Sequence, residues 1–199
     1  MRLPADAALI VIDVQEAIDD PRWGPRNNLE AEANIAALIA AWRAEALPLV
    51  HIRHDSVDPV SPYAPHGPGH GFKPCAVPLA GETVVGKTAN SAFVGTALES
   101  MLDDLGATTL VLCGVLTPNS VEATARHAGN LGYQVFVVAD ACWAVDKVDL
   151  RGKRWPAEDV HALSLAHLEG EYATVVDVAT ALRAAATAKA RQRRAAAKV

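Results

Sequence analysis

Leu112-Cys113-Gly114-Val115-Leu116-Thr117-Pro118-Asn119-Ser120-Val121-Glu122-Ala123-Thr124-Ala125-Arg126 reads as an apolar strand that enters a tight turn, followed by a helix opening at Ser120. The same strand-then-helix grammar repeats along the chain. Apolar runs of strand length recur at Ala8 to Val14, Leu47 to Arg53, Glu82 to Lys87, Thr108 to Val115, Gln134 to Asp140 and Tyr172 to Val178. They are near-continuous in Val, Ile and Leu rather than alternating, as strands buried on both faces of a parallel sheet are. Between them, Ile35, Leu38, Ile39 and Trp42, and then Val94, Leu98, Met101, Leu102 and Leu105, fall at helical spacing and form one apolar stripe each. Gly106 and Gly132 stand where helices end, and Pro156 precedes a third pattern through Val160, Leu163 and Leu168. This alternation predicts an α/β fold, a three-layer α/β/α sandwich around a six-stranded parallel sheet with right-handed crossovers.

A length of 199 residues at 51% hydrophobic content suits one well-cored domain, expected over residues 1–182. The net charge of -5 hides a basic, Ala-rich tail at 183–199, which holds Arg183, Lys189, Arg191, Arg193, Arg194 and Lys198 and no acid. Without interleaved aromatics, that tail reads as a solvated, partly helical end and not as a nucleic-acid contact. No run approaches the roughly 18 apolar residues of a membrane span, and the first residues lead straight into a strand rather than a signal peptide. Cys75, Cys113 and Cys142 are an odd, sparse set without metal-type spacing, which points to a reducing, cytoplasmic setting. The stretch from Ser56 to Pro78 carries Pro59, Pro62, Pro65, Pro68, Pro74 and Pro78 with Gly67, Gly69 and Gly71, so it is a long loop: a lid, a binding loop or an interface arm.

In open α/β sheets, ligands bind beyond the carboxyl ends of the strands. Asp13 ends the first strand, Lys87 ends the third, and Ser120 follows the fourth, so a carboxylate, an amine and a hydroxyl can meet there. A side chain on the first turn of a helix feels the positive end of the helix dipole and neighbours unpaired N–H groups able to hold an oxyanion. Each residue also has a plainer reading. Asp13 could cap a turn, Lys87 could be a solvated surface charge, and Ser120 is among the best N-cap residues.

Asp13-Val14-Gln15, then Gly86-Lys87 with Asn90-Ser91-Ala92-Phe93, then Gly114-Val115 with Thr117 and a helix ending Asn130-Leu131-Gly132-Tyr133, together resemble the isochorismatase-like hydrolase superfamily over roughly Ala5 to Leu182. That group includes nicotinamidases, ureidoacrylate and N-carbamoylsarcosine amidohydrolases, and isochorismatases. The resemblance implies a Rossmann-like sheet of order 3-2-1-4-5-6 and hydrolysis of a small amide, ureide or related C–N bond, with no cofactor. It implies an Asp-Lys-Cys triad falling on Asp13, Lys87 and position 120, where this chain has Ser120. It also implies a non-proline cis peptide at Val115–Leu116, aiming the Leu116 N–H with that of Ser120 into an oxyanion hole. Lys87 would have to reach inward over the second strand. Family members form homodimers or homotetramers.

A cysteine there needs little activation, whereas a serine needs a committed base, for which a neutral Lys87 is the first candidate. Three readings follow. Ser120 replaces a thiol and stalls an amide hydrolase, or the chemistry is thiol-independent vinyl ether hydrolysis with Asp13 as proton donor, as in isochorismatases, or the chain is a silent ligand-binding member. Ile18, Trp23, Phe72 and Phe93 flank the triad in sequence and are the expected pocket walls. Ile18 stands where the family commonly has an aromatic, which hints at a substrate without a flat heteroaromatic ring. His51, His54, Asp55, His66 and His70 have metal-ligand composition, but His54-Asp55-Ser56 lacks the Asp-x-His of the metal-bearing nicotinamidases, so no metal is expected. His161 and His167 are expected to be a surface or core pair.

Overall fold

The computed structural model describes the backbone of residues 1–196 and the side chains of residues 1–188. β1 (Ala8–Ile12) and β4 (Thr109–Val115) are buried at every position and lie side by side in mid-sheet. β2 (Leu49–His54) and β3 (Thr83–Lys87) extend the sheet on one side, and β5 (Gln134–Trp143) and β8 (Thr174–Val176) on the other. The order is β3-β2-β1-β4-β5-β8 with every pair parallel, so the sixth predicted strand is β8 and the expected topology holds. Outside the six lies an antiparallel pair, β6 (Lys147–Val148) and β7 (Arg154–Trp155). Two-residue strands are too short to show a period.

Gly114 marks where β1 and β4 come closest. It has a φ of 121°, and a Cβ there would collide with the backbone of Ile12. Only glycine allows this approach, one residue before Asp13 leaves β1.

α1 (Ala31–Ala44) buries Ile35, Leu38, Ile39 and Trp42, as its spacing predicts, and Trp42 Nε1 donates to the Ala7 carbonyl at 3.1 Å. α2 (Leu98–Asp104) is shorter than its pattern, because Thr96 holds the preceding turn: its hydroxyl donates to Ala92 O and accepts from Leu98 N. Leu98 and Leu102 are buried, while Val94 and Leu105 are left exposed. α3 (Glu122–Asn130) follows β4 through a π-helical turn at Thr117–Val121, so Ser120 sits inside a widened turn two residues before the helix proper.

α4 (Ala157–Leu168) corrects the expected Val160–Leu163–Leu168 stripe, since its buried residues are Ala157, His161, Ser164 and Leu168, and Leu163 is 58% exposed. Polar partners beneath the helix explain the rotation: Thr117 Oγ1 lies 2.8 Å from His161 Nδ1, and the Ser164 hydroxyl donates to Glu122. His167 is exposed, so the two histidines are not a pair.

α5 (Val178–Ala196) runs unbroken through the boundary expected at 182 and packs on α1 and β5. Ala181, Ala184, Ala185 and Ala188 are buried along one stripe of it, because small side chains at helical spacing allow close approach. Lys189, Arg191, Arg193 and Arg194 of the basic tail lie outside the described side chains, and Lys198 lies outside the described residues. Among the described residues, no helix is long and apolar enough to cross a membrane.

The proline-rich loop folds down on the segment after β1. Ala17 N–H donates to Gly69 O at 2.8 Å, Glu16 N–H to Gly71 O at 2.9 Å and Lys73 N–H to Val14 O at 3.0 Å. Gly69 is pressed so close to Ala17 that a Cβ there would fall 2.8 Å from its Cα. The loop therefore roofs the carboxyl end of β1.

Candidate active site

Three strands deliver their polar ends to one point. Asp13 leaves β1 in the left-handed region, at a φ of 53°, a conformation that Asp tolerates better than most L residues. Gln15 braces this turn, since its amide donates to His54 O and His70 O and its carbonyl accepts from His54 N–H.

Lys87 does reach inward over β2, and the register explains how. β2 aligns Ile52 with Ile12 of β1 but His54 with Lys87 of β3, so Lys87 lies two residues further along and leans back over the strand end. Its Nζ is fully buried and donates to Asp13 Oδ2 at 2.7 Å, Ala89 O at 3.0 Å and Ser120 Oγ at 3.2 Å. His54 Nδ1 is a fourth neighbour at 3.3 Å. Three oxygen acceptors around one amine match the three hydrogens of an ammonium. Lys87 thus touches both the carboxylate and the hydroxyl expected to share the site.

Burial pushes the Asp13 carboxyl above the usual carboxylate range, against the pull of Lys87 and of the Ser120 hydroxyl. Asp13 Oδ1 is buried and has no hydrogen-bond partner. Burial, reinforced by Lys87, pushes His54 down to about 4, so this imidazole is neutral at physiological pH.

These groups border a cavity of about 140 Å³. Asp13 and Ser120 line it, as do Leu116 and the expected walls Ile18 and Trp23. The Val115–Leu116 peptide is cis. Phe72 and Phe93 are not in the lining. Phe72 bridges to Gln15 in extended backbone and lies edge-on to His51, with ring centroids 5.9 Å apart. Phe93 is buried against His127 and Tyr133 at 5.1 and 5.9 Å.

Six lining residues were not assigned to the site from sequence: His54, Ser61, Tyr63, Asn90, Val115 and Asn119. Some signals were there. His54 ends a central strand, Asn90 and Asn119 neighbour Lys87 and Ser120, and Tyr63 is an aromatic set among the loop prolines. Tyr63 stacks edge-on against both His54 and Trp23, closing the roof.

No cysteine lines this cavity. Cys113 and Cys142 are free and buried in the sheet, and burial pushes the Cys142 thiol up to about 12. Neither can stand in for a thiol at position 120. His54 faces the cavity while Asp55 turns to Arg53 and His70, and no group of three or more His, Cys, Asp or Glu side chains suited to a metal ion occurs among the described residues.

The Isochorismatase domain model matches residues 7–180. The isochorismatase family protein YrdC of Bacillus subtilis is 39% identical over 169 residues, covering 85% of this chain and 90% of its own. The ureidoacrylate amidohydrolase RutB of Methylobacterium radiotolerans is 29% identical over 213 residues, covering 88% of this chain and 78% of its own. A crystal structure of an isochorismatase-family protein from Chromobacterium violaceum superposes with a TM-score of 0.91 at 53% identity, covering 94% of this chain and 97% of that one. With a matching domain model over most of its length and the same sheet beneath its motifs, this chain belongs to the isochorismatase family of hydrolases.

Proposed function

We propose that the protein hydrolyses a small amide or ureide by acyl transfer through position 120. The observation that carries this reading is the convergence of Asp13, Lys87 and Ser120 at one cavity, whose lining includes Asp13, Leu116 and Ser120.

Ser120 Oγ attacks the carbonyl carbon, and its proton passes to the Asp13 carboxylate. The Lys87 ammonium fixes both groups and offsets the charge that develops. The Leu116 and Ser120 N–H groups face the oxyanion. Asp13 then gives the proton to the leaving nitrogen, and the C–N bond breaks. Water attacks the ester left on Ser120, losing its proton to Asp13, which returns it to Oγ as the acid departs.

A hydroxyl is the slow choice for this geometry, since its proton is far less acidic than a thiol's and Lys87 is already fully engaged. Ser120→Cys is therefore expected to raise ammonia release from a panel of small amides and ureides by at least about 100-fold. No gain on any member would overturn the reading.

One observation favours a second reading. A buried carboxyl with raised proton affinity and an open Oδ1 is suited to donate a proton to a vinyl ether. Pyruvate released from isochorismate by the Ser120 protein would establish it, and its absence would dispose of it.

A further inference from the structure

The cavity is unusual in its charge. Asp13 is the one formally charged residue in its lining, and the nearest cation, Lys87, has its hydrogens committed to Asp13, Ala89 and Ser120. His54, which could have supplied a positive charge, is neutral near pH 7. The other polar lining groups, Ser61, Tyr63, Asn90 and Asn119, are uncharged. Arg53, the closest guanidinium along β2, is held by Asp55. Among the described residues, then, no free cation faces this space, and the net charge of the Asp13–Lys87 couple is zero. A carboxylate brought in here would lose its water and gain no counter-ion, a penalty of several powers of ten in binding.

The second observation is Asp13 Oδ1. It belongs to a side chain 6% exposed, lies in a residue that lines the cavity, and accepts no hydrogen bond. A buried carboxylate oxygen of this kind is completed by a donor, and no side chain or backbone group among the described residues bonds Oδ1. A volume of about 140 Å³ is on the order of five liquid-water volumes, so water fills the cavity until a small molecule brings its own donor to Oδ1.

We infer that the cavity selects a compact, uncharged substrate that presents an N–H to Asp13 Oδ1, and rejects substrates carrying a carboxylate. This rests on the acyl-transfer reading, and it separates that reading from the vinyl ether one, because isochorismate bears two carboxylates. A primary carboxamide or an N-terminal urea group meets the requirement, its N–H on Asp13 and its carbonyl oxygen toward the Leu116 and Ser120 N–H groups. Acidic amides and ureido acids of the same length do not.

The test compares butanamide with succinamate, which replaces the terminal methyl by a carboxylate and leaves the amide untouched. Calorimetric Kd is measured with the Ser120 protein, and kcat/KM for ammonia release with Ser120→Cys. Butanamide is expected to be favoured at least 100-fold in both. Ser61→Lys, a change on the exposed loop, supplies the missing cation and is expected to narrow that ratio at least tenfold, with the melting temperature confirming that the variant is folded. Asn90→Lys provides the same gain from another wall. Selective binding of butanamide without turnover in either protein keeps the charge selection and overturns the acyl-transfer reading. Equal or preferred use of succinamate overturns the charge selection and keeps acyl transfer. Failure of both compounds to bind and to react overturns both.

Discussion

Among the described residues two lysines, Lys73 and Lys87, are almost fully buried, and each is neutralised in a different way. Lys73 lies on the roof, 6% exposed; its Nζ donates to Asp19 and lies 3.0 Å from Glu32, which Arg26 also holds at 2.8 Å, so two cations and two carboxylates form one network. Burial alone would lower its proton affinity, but the bonds from Asp19 and Glu32 outweigh it and hold the amine above the ordinary lysine range. Lys87, 2% exposed, has one carboxylate, whose second oxygen is left open, and gives its remaining hydrogens to a carbonyl and a hydroxyl. Lys73 is tied into a balanced ion-pair network and does not line the cavity beside Asp13. Lys87 is balanced by one carboxylate and touches the cavity through its partners Asp13 and Ser120, as the proposed acyl transfer requires.

Removing each lysine breaks this comparison most sharply. Lys87→Met leaves Asp13 buried without a counter-ion and is expected to cost about 3–5 kcal/mol of stability by urea unfolding. In the same variant kcat/KM should fall by about 10²–10³-fold, measured in the Ser120→Cys background. The double variant Lys87→Met with Asp13→Leu removes both charges, so it should regain most of the stability and none of the activity. Recovery of activity would show that the pair is merely structural. Lys73→Met is expected to cost less, about 1–2 kcal/mol, because Asp19 is largely exposed and stays hydrated when its partner goes. It should leave kcat/KM nearly unchanged. Since the folded state raises the Lys73 pKa, its contribution is fully present below the ordinary lysine value and is lost only as pH rises through the higher folded one.

A smaller effect is set by pH. His54 is held at about 4, below the ordinary imidazole value of about 6.5, so between those limits the unfolded chain binds a proton that the folded chain does not. Stability therefore falls as pH drops from about 6.5 toward 4, by less than about 1.4 kcal/mol per pH unit, given that the group is only half-buried. Asp13 opposes this, because its raised pKa makes the folded state the better proton acceptor as the medium acidifies. His54→Gln should flatten the acid limb of the stability profile, read from unfolding midpoints across this range. An unchanged slope would assign the limb to other groups, such as buried His51 on Glu82.

What the sequence made legible was periodicity and strand ends. The six parallel strands show as continuous Val, Ile and Leu because both faces of the sheet are covered, and Asp13, Lys87 and Ser120 show as the polar residues that interrupt those runs. The α4 stripe was illegible because burial there follows hydrogen bonds to Thr117 and Glu122, partners about 40 residues away that no local pattern carries. Tyr63 stood out by residue type, but its position was illegible for a related reason. Its place in the cavity comes from how a loop rich in prolines settles on Ala17, and turn residues encode local backbone, not where the loop lands. The packing of α5 on α1 was hard to read, because its buried residues are alanines, which look the same in sequence on either face of a helix.

Phe72 gives the smallest and most specific test of the distinction between roof and cavity. It is near the candidate site in sequence, yet its ring packs on His51, whose Nε2 is tied to Glu82 at 3.0 Å, and Arg43 holds Glu82 in turn at 2.7 Å. Arg43, with burial opposing it, keeps the Glu82 carboxyl down at about 2, so this cluster stays charged and closed throughout the working range. Phe72→Leu keeps most of the volume and removes one edge-on aromatic contact, a change expected to cost about 1 kcal/mol in unfolding free energy. KM for the neutral amide should not move. Trp23→Leu makes the opposite trade, because Trp23 lines the cavity and buttresses Tyr63, so KM should rise. If Phe72→Leu shifted KM as Trp23→Leu does, the roof and the cavity would be one mechanical unit, and the contrast between Lys73 and Lys87 would lose its functional meaning.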